Sequence, residues 1–171
     1  MSEPLVLPTE RETVKLRQLA IEDAPAYFEA VDVSREHLSQ FGDVTAFIYP
    51  DLQAVKTSLT DPSNPSRLRM GIWAAETFVG SINLTPDEEG AEIGYWLDSR
   101  HTGHGYATLA TKALSAYAAK RYSNVHAEVV KGNDESKRVL ERAGFKQLTE
   151  YAGSLLFELA EPHIKGSTDL P

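Results

Sequence analysis

The chain has 171 residues, of which 42% are hydrophobic and 25% are charged, and this composition predicts one soluble globular domain with a sizeable core. The net charge of −8 argues against non-specific nucleic-acid binding and suits a cationic substrate, and the absence of cysteine excludes disulfides, thiolate metal sites and a cysteine nucleophile. The five histidines are scattered and no apolar run reaches the roughly 20 residues of a membrane helix, so we expect neither metal nor membrane and a cytoplasmic location.

In chain order, a proline-containing lead-in at 1–12 precedes one domain over 13–160, and residues 161–171 are expected to form a flexible tail. Segments with alternating or β-branched apolar residues predict strands at 13–19, 68–75, 77–84, 91–97, 125–130, 145–150 and 155–159. Helical spacing and capping residues predict helices at 22–31, 34–41 (capped by Ser34), 51–61, 106–117 and 133–142. One strand–helix–strand crossover is clear, so the pattern predicts an α+β (mixed α/β) fold, with a mostly antiparallel sheet of about seven strands flanked by helices.

The stretch 91–122 carries the main functional signal of the sequence. The strand at 91–97 is followed by a turn containing Gly103 and Gly105 and then directly by a helix, an order that leaves unpaired backbone N–H groups at the helix start. Between residues 98 and 128 there is no acidic side chain, so a phosphate would meet no fixed negative charge nearby in sequence. The turn predicts a site for a phosphorylated ligand, and the alternative is a tight connection that merely needs glycines.

The residues of this turn also match a known motif. Arg100-x-x-Gly103-x-Gly105 resembles the acetyl-CoA signature (Gln/Arg-x-x-Gly-x-Gly/Ala) of the GCN5-related N-acetyltransferase (GNAT) superfamily. The segments 91–97 and 105–108 on either side are similar to the RimJ/RimL type, which acetylates the N-termini of ribosomal proteins. The chain is therefore identified as resembling that subfamily.

A second motif supports the same resemblance. Asn133-x-x-Ser136, followed by 143–145, resembles the next family motif at the expected distance. The resemblance implies a sheet that splays open beside the central strand, where acetyl-CoA enters as a pseudo-strand and donates its acetyl group directly to a primary amine in a ternary complex. The implied acceptor is the α-amino group of a protein N-terminus. The implied partners are acetyl-CoA and this amine, and a homodimer is left open.

The resemblance also implies roles for particular residues. Glu92 would accept the amine proton, Ser136 would hydrogen-bond the leaving sulfur, and Asn133 would complete the catalytic set. Arg35 and His37, together with Glu92, would bind the acceptor. The implied acetyl-CoA-binding residues are Tyr95, Trp96, Leu97, Arg100, Thr102, Gly103, His104, Gly105, Tyr106, Ala107, Asn133 and Ser136.

Each of these assignments has a plainer alternative that the sequence leaves open. Glu92 could face solvent or only orient the substrate ammonium, and Asn133 is also a normal helix N-cap. Ser136 could be a surface serine. The histidines nearest the motifs are expected to be exposed rather than catalytic: His37, His101 and His104.

Two departures from the family pattern bear on the reaction. Leu140 stands where many members carry a tyrosine acid, and the closing hairpin around 151–154 is shorter than in RimJ/RimL relatives. They leave open a small-molecule amine (polyamine or antibiotic) acetyltransferase and a non-catalytic acyl-CoA-binding module. A dinucleotide-dependent oxidoreductase, using the glycine turn with Glu128, is disfavoured because Thr108 replaces the third glycine of that fingerprint.

Overall fold

The structure is a computed structural model that describes residues 2–161. Its strands are β1 (Val6–Pro8), β2 (Val14–Gln18), β3 (Leu68–Ala74), β4 (Thr77–Asp87), β5 (Gly90–Leu97), β6 (Val125–Val130), β7 (Phe145–Tyr151) and β8 (Ser154–Leu159). Its α-helices are α1 (Ala24–Val33), α2 (Arg35–Ser39), α3 (Thr45–Ile48), α4 (Leu52–Leu59), α5 (Tyr106–Ala119) and α6 (Asp134–Arg142). Short 3₁₀ turns at Ile21–Asp23 and Ser99–His101 precede α1 and the glycine turn. None of the helices in residues 2–161 has the length and hydropathy that crossing a bilayer requires.

The strands form one sheet in the order β1-β2-β3-β4-β5-β6-β8-β7. Every neighbouring pair is antiparallel except β5 and β6, which run parallel and are joined by α5. The predicted mixed α/β class and mostly antiparallel sheet are therefore confirmed.

The described part of the chain contains eight strands rather than seven, and the additional strand is β1. It lies inside 1–12, where the sequence predicts a loose lead-in, so that prediction is wrong for Val6–Pro8. β1 pairs with β2 with Leu7 opposite Leu16, and a three-residue strand of this kind has no periodicity that could announce it. The sheet thus begins before residue 13, while most of the predicted tail lies outside the described residues.

Two further local predictions need correction. The four-residue helix α3 lies where the sequence predicts no helix. Ser34 precedes α2 as expected, but its side chain makes no capping bond. Its hydroxyl oxygen instead accepts a hydrogen bond from the backbone N–H of Ser99 at 2.8 Å, which fastens the start of α2 to the segment that follows β5.

Helices cover both faces of the sheet, and β5 contributes to both cores. Ala91 and Ile93 are buried in the core that α5 covers, together with Leu114. Trp96 points to the opposite face, where its ring lies 5.1 Å from that of Tyr27 in an edge-to-face arrangement under α1–α4. The second half of β5 therefore packs on both faces, with Tyr95 and Leu97 against one core and Trp96 in the other, and this packing holds its backbone in place beside the site.

The sheet opens between β5 and β6. Within residues 2–161 their ladder consists of the pairs Ala91–Val125 and Glu92–His126, whereas β4 stays paired with β5 as far as Leu97. Beyond Glu92 the two parallel strands diverge, so the backbone of the second half of β5 faces a gap. The splayed sheet that the family resemblance implies is present.

Candidate active site

The glycine turn has a backbone that side chains would disfavour. Gly103 and Gly105 have φ values of +80° and +79°, in the left-handed region that glycine adopts without strain. Gly105 is the N-cap residue of α5 and provides no capping side chain. The N–H groups of the first turn of α5 are therefore available to an anion, and a Cβ at Gly103 would meet no atom within 4 Å, so there is open space above the turn.

A cavity of about 160 Å³ lies beside this turn, at the mouth of the gap in the sheet. A second cavity of about 220 Å³ continues between β5 and β6 and shares five lining residues with the first, namely Phe41, Asp43, Tyr95, Asn133 and Ser136. The first cavity brings together eight of the residues named from the sequence: His37, Tyr95, Trp96, Leu97, Thr102, Ala107, Asn133 and Ser136. Residues from β5, the glycine turn and α6, which are far apart in sequence, thus line one space.

A hydrogen bond between β5 and α6 crosses this space. The hydroxyl of Tyr95 donates to Oγ of Ser136 at 3.0 Å, and the side-chain oxygen of Asn133 accepts from the backbone N–H of Ser136 at 3.2 Å. The second bond confirms Asn133 as the N-cap of α6. Burial raises the pKa of Tyr95 to about 12, so its hydroxyl stays protonated at neutral pH and leaves the Ser136 proton free to point into the cavity.

The family model for the acetyltransferase (GNAT) domain matches residues 13–146. The chain belongs to the GNAT acetyltransferase family. It is 28% identical over 145 residues to the Probable N-acetyltransferase YjcK of Bacillus subtilis (strain 168), with 78% of this chain and 80% of that protein covered. The family assignment confirms the predicted enzyme class, an acetyl-CoA-dependent N-acetyltransferase, and the oxidoreductase alternative is wrong.

Solved structures share the fold of this GNAT acetyltransferase. One is RimL, a ribosomal L7/L12 α-N-protein acetyltransferase in complex with coenzyme A, at a TM-score of 0.76 and 20% identity, covering 89% of this chain and 96% of that one. Another is Mycobacterium smegmatis RimJ in complex with CoA-disulfide, at a TM-score of 0.71 and 23% identity, covering 96% and 93%. Acetyl-CoA is the acetyl donor of the family, and the open glycine turn and the gap beside β5 fit its diphosphate and its extended arm.

Glu92 lies on β5 in register with His126 of β6 and remains solvent-exposed. Desolvation by the sheet raises the pKa of its carboxyl; His126 opposes the rise, and the nearby carboxylates of Glu128 and Asp87 add to it. Within the part of the chain that the structure describes, Glu92 lines neither of these two cavities. Its assignment as the base therefore remains a prediction.

Sequence reasoning missed a pair beside Glu92. His126 is buried, and its Nε2 lies 2.7 Å from Oδ2 of Asp87. The two residues are 39 positions apart, on β6 and at the end of β4, so no local pattern links them. The pair fixes the imidazole beside Glu92 and thereby sets the charge environment of that carboxyl.

The side chain of Arg100 points away from the cavity. Its guanidinium donates to the buried carboxylate of Asp98 at 2.7 Å and to Glu29 of α1 at 3.3 Å. Desolvation tends to raise the pKa of Asp98, but its hydrogen bonds with Arg100 outweigh burial and lower it. Arg100 therefore anchors the segment before the glycine turn, and its predicted contact with acetyl-CoA would have to come from its backbone.

Two acceptor residues named from the sequence have different positions. The guanidinium of Arg35 donates to the backbone carbonyls of Ala46 and Tyr49 at 2.7 and 2.9 Å and pairs with Asp32, so it ties α2 to α3 and the residue after it rather than pointing into the cavity. His37 lines the first cavity and is not fully exposed, in contrast to the solvent-facing alternative. His104 in the glycine turn is exposed, as expected, and His101 is half-buried.

Proposed function

We propose that this GNAT acetyltransferase transfers the acetyl group of acetyl-CoA to the α-amino group of a protein N-terminus, by direct attack in a ternary complex. The observation that carries the proposal is the cavity at the open edge of β5, where the glycine turn and the Tyr95–Ser136 pair meet. The names of RimL and of other similar structures, which refer to ribosomal proteins, support a polypeptide acceptor. The proposal also includes a cytoplasmic location, and it is compatible with a homodimer.

The surface next to the cavity supports a polypeptide rather than a small amine. Phe41 and Asp43 form part of the cavity wall, and the chain continues from them into α3. Large apolar side chains remain exposed there, with Phe47 at 86% and Val44 at 57% exposure. An extended peptide can cover an apolar patch outside the cavity while its first residue reaches inside, whereas a compact amine cannot.

The proposed residues have complementary tasks. The amine attacks only when neutral, and Glu92, whose pKa is raised by desolvation, would take its proton directly or through water. As the amide bond forms and the thioester C–S bond breaks, the hydroxyl of Ser136 would donate a hydrogen bond to the sulfur. Tyr95 donates to the Ser136 oxygen and so holds that hydroxyl in the donating orientation. Leu140, at the position of the family tyrosine acid, is buried and supplies no proton.

The experiment is a thiol-release assay with acetyl-CoA and an acceptor panel. The panel contains peptides with N-terminal Ala, Ser or Thr, polyamines and aminoglycosides, and each peptide is matched by its N-acetylated form. We expect turnover with free N-termini and none with the blocked peptides.

The alternative function is acetylation of a small amine, and one feature favours it. β7 and β8 are joined by the two residues Ala152 and Gly153, so the closing hairpin adds little to an acceptor site. Turnover with polyamines or aminoglycosides and with no free peptide would establish this alternative and contradict the proposal.

A further inference from the structure

The turn between β1 and β2 places an arginine against the glycine turn. Nη1 of Arg11 donates to the backbone carbonyl of His104 at 3.0 Å, and the guanidinium carbon lies 5.8 Å from the centre of the Tyr106 ring. Nη2 of Arg11 would be 3.6 Å from a Cβ added at Gly105, which makes it the nearest atom to that position. The N-terminal hairpin thus reaches the start of α5 although 93 positions separate Arg11 from His104.

The other basic side chains near this turn are already paired. The guanidinium of Arg100 is held by Asp98 and Glu29, as described above, and Lys112 of α5 pairs with Glu10 at 3.3 Å. Arg11 is exposed and forms no ion pair with a carboxylate in the described part of the chain. Its bond to a neutral carbonyl leaves its charge uncompensated and most of its five N–H donors unused.

We infer that Arg11 binds the phosphates of acetyl-CoA and completes the anion site that the glycine turn begins. This inference rests on the proposed function, because that function assigns acetyl-CoA, the acetyl donor, to the gap beside β5. The planar fork of a guanidinium suits phosphate oxygens. Among the described residues, Arg11 supplies an unpaired positive charge at the turn, whereas the charge of Arg100 is neutralised by Asp98 and Glu29. Coenzyme A carries a diphosphate and a 3′-phosphate, and the contact uses the same chemistry with either.

The test is calorimetric titration of the full chain with coenzyme A and with dephospho-coenzyme A, which lacks the 3′-phosphate. We expect Arg11→Gln to weaken coenzyme A binding about tenfold, the loss of a charge-assisted hydrogen bond, and Arg11→Lys to retain part of the affinity. If the loss is as large with dephospho-coenzyme A, the contact is to the diphosphate; if it disappears, the contact is to the 3′-phosphate.

The control variant is Arg67→Gln, which removes the same charge elsewhere. Arg67 is exposed and immediately precedes β3, which runs in the direction of β5, so it lies at the opposite end of the sheet from the glycine turn. This variant should bind coenzyme A like the wild type.

Salt dependence separates phosphate binding from a purely structural role. The Kd of the wild type should rise more steeply with salt concentration than that of Arg11→Gln, because one phosphate contact is missing in the variant. Wild-type affinity in Arg11→Gln, or an equal loss at low and high salt, would overturn the inference. Absence of coenzyme A binding by the wild type would instead refute the proposed function itself.

Discussion

A methyl group added at Gly80 tests the close approach of β4 to the wall of the cavity. Gly80 lies opposite Leu97 of β5, and its added Cβ would be 2.4 Å from the carbonyl oxygen of Trp96 and 3.0 Å from Cα of Leu97. Both are backbone atoms, which cannot rotate away as the end of a flexible side chain can. Gly80→Ala must therefore displace β5 in the segment that borders the proposed acetyl-CoA site.

The size of the effect follows from the overlap. Forcing one methyl group into a packed interior costs about 1–3 kcal/mol, and a loss of about 2 kcal/mol lowers the melting temperature of a chain of this length by about 4–8 °C. Because the displaced backbone is the one that lines the cavity, we also expect weaker coenzyme A binding. Thermal unfolding and calorimetric titration measure the two effects separately.

Gly94→Ala in the neighbouring strand is the matched control. A Cβ at Gly94 meets no atom within 4 Å, and its φ lies outside the left-handed region. This variant should keep the wild-type stability or gain up to about 1 kcal/mol through a less flexible unfolded chain. If Gly80→Ala melted at the wild-type temperature or above Gly94→Ala, the packing argument would be wrong.

The remaining predictions concern the chemistry of the site. Glu92→Gln should lower kcat about 100-fold with unchanged acetyl-CoA affinity. In the wild type, kcat should fall as the pH drops through a pKa above the ordinary glutamate value, because only the carboxylate can accept the amine proton. A kcat that does not depend on pH would exclude Glu92 as the base. Gly103→Glu should weaken acetyl-CoA binding at least about tenfold, because it places a negative charge at the phosphate site. Gly103→Ala has open space for its methyl group but a φ of +80°, so it should cost about 1–2 kcal/mol of stability. Equal acetyl-CoA affinity in Gly103→Glu and the wild type would count against the phosphate site. Ser136→Ala should reduce kcat about tenfold at constant Kd, and Tyr95→Phe should reduce it less, because the hydroxyl of Ser136 would remain; full activity in Ser136→Ala would exclude the sulfur contact.

The parts of the site that could be predicted from sequence are those that local patterns encode. The order of strand, glycine turn and helix around Gly103 and Gly105 is a property of neighbouring residues, and the structure reproduces it. Asn133 as the N-cap of α6 is likewise a matter of a few consecutive positions.

The parts that could not be predicted depend on partners distant in sequence. Arg100 belongs to the motif and is held by the nearby Asp98, but its second carboxylate partner, Glu29 of α1, lies 71 positions away and no local pattern indicates it. Tyr95 and Ser136 are 41 positions apart. The hydrophobic strand pattern predicts Tyr95 as a residue of the core or of the cleft wall, but it does not predict this hydrogen bond. The strand β1 is too short to have a period, so the position of Arg11 becomes visible only when β1 pairs with β2.

The divergence of β5 and β6 has a consequence for the behaviour of the protein without its ligand. Beyond the Glu92–His126 pair, the facing edges of β5 and β6 carry N–H and C=O groups that do not pair with each other, although both strands lie inside the sheet rather than at its ends. Such edges invite pairing with strands of other chains, which is a route to aggregation. Occupation of the gap by coenzyme A should therefore suppress aggregation on heating as well as raise the melting temperature.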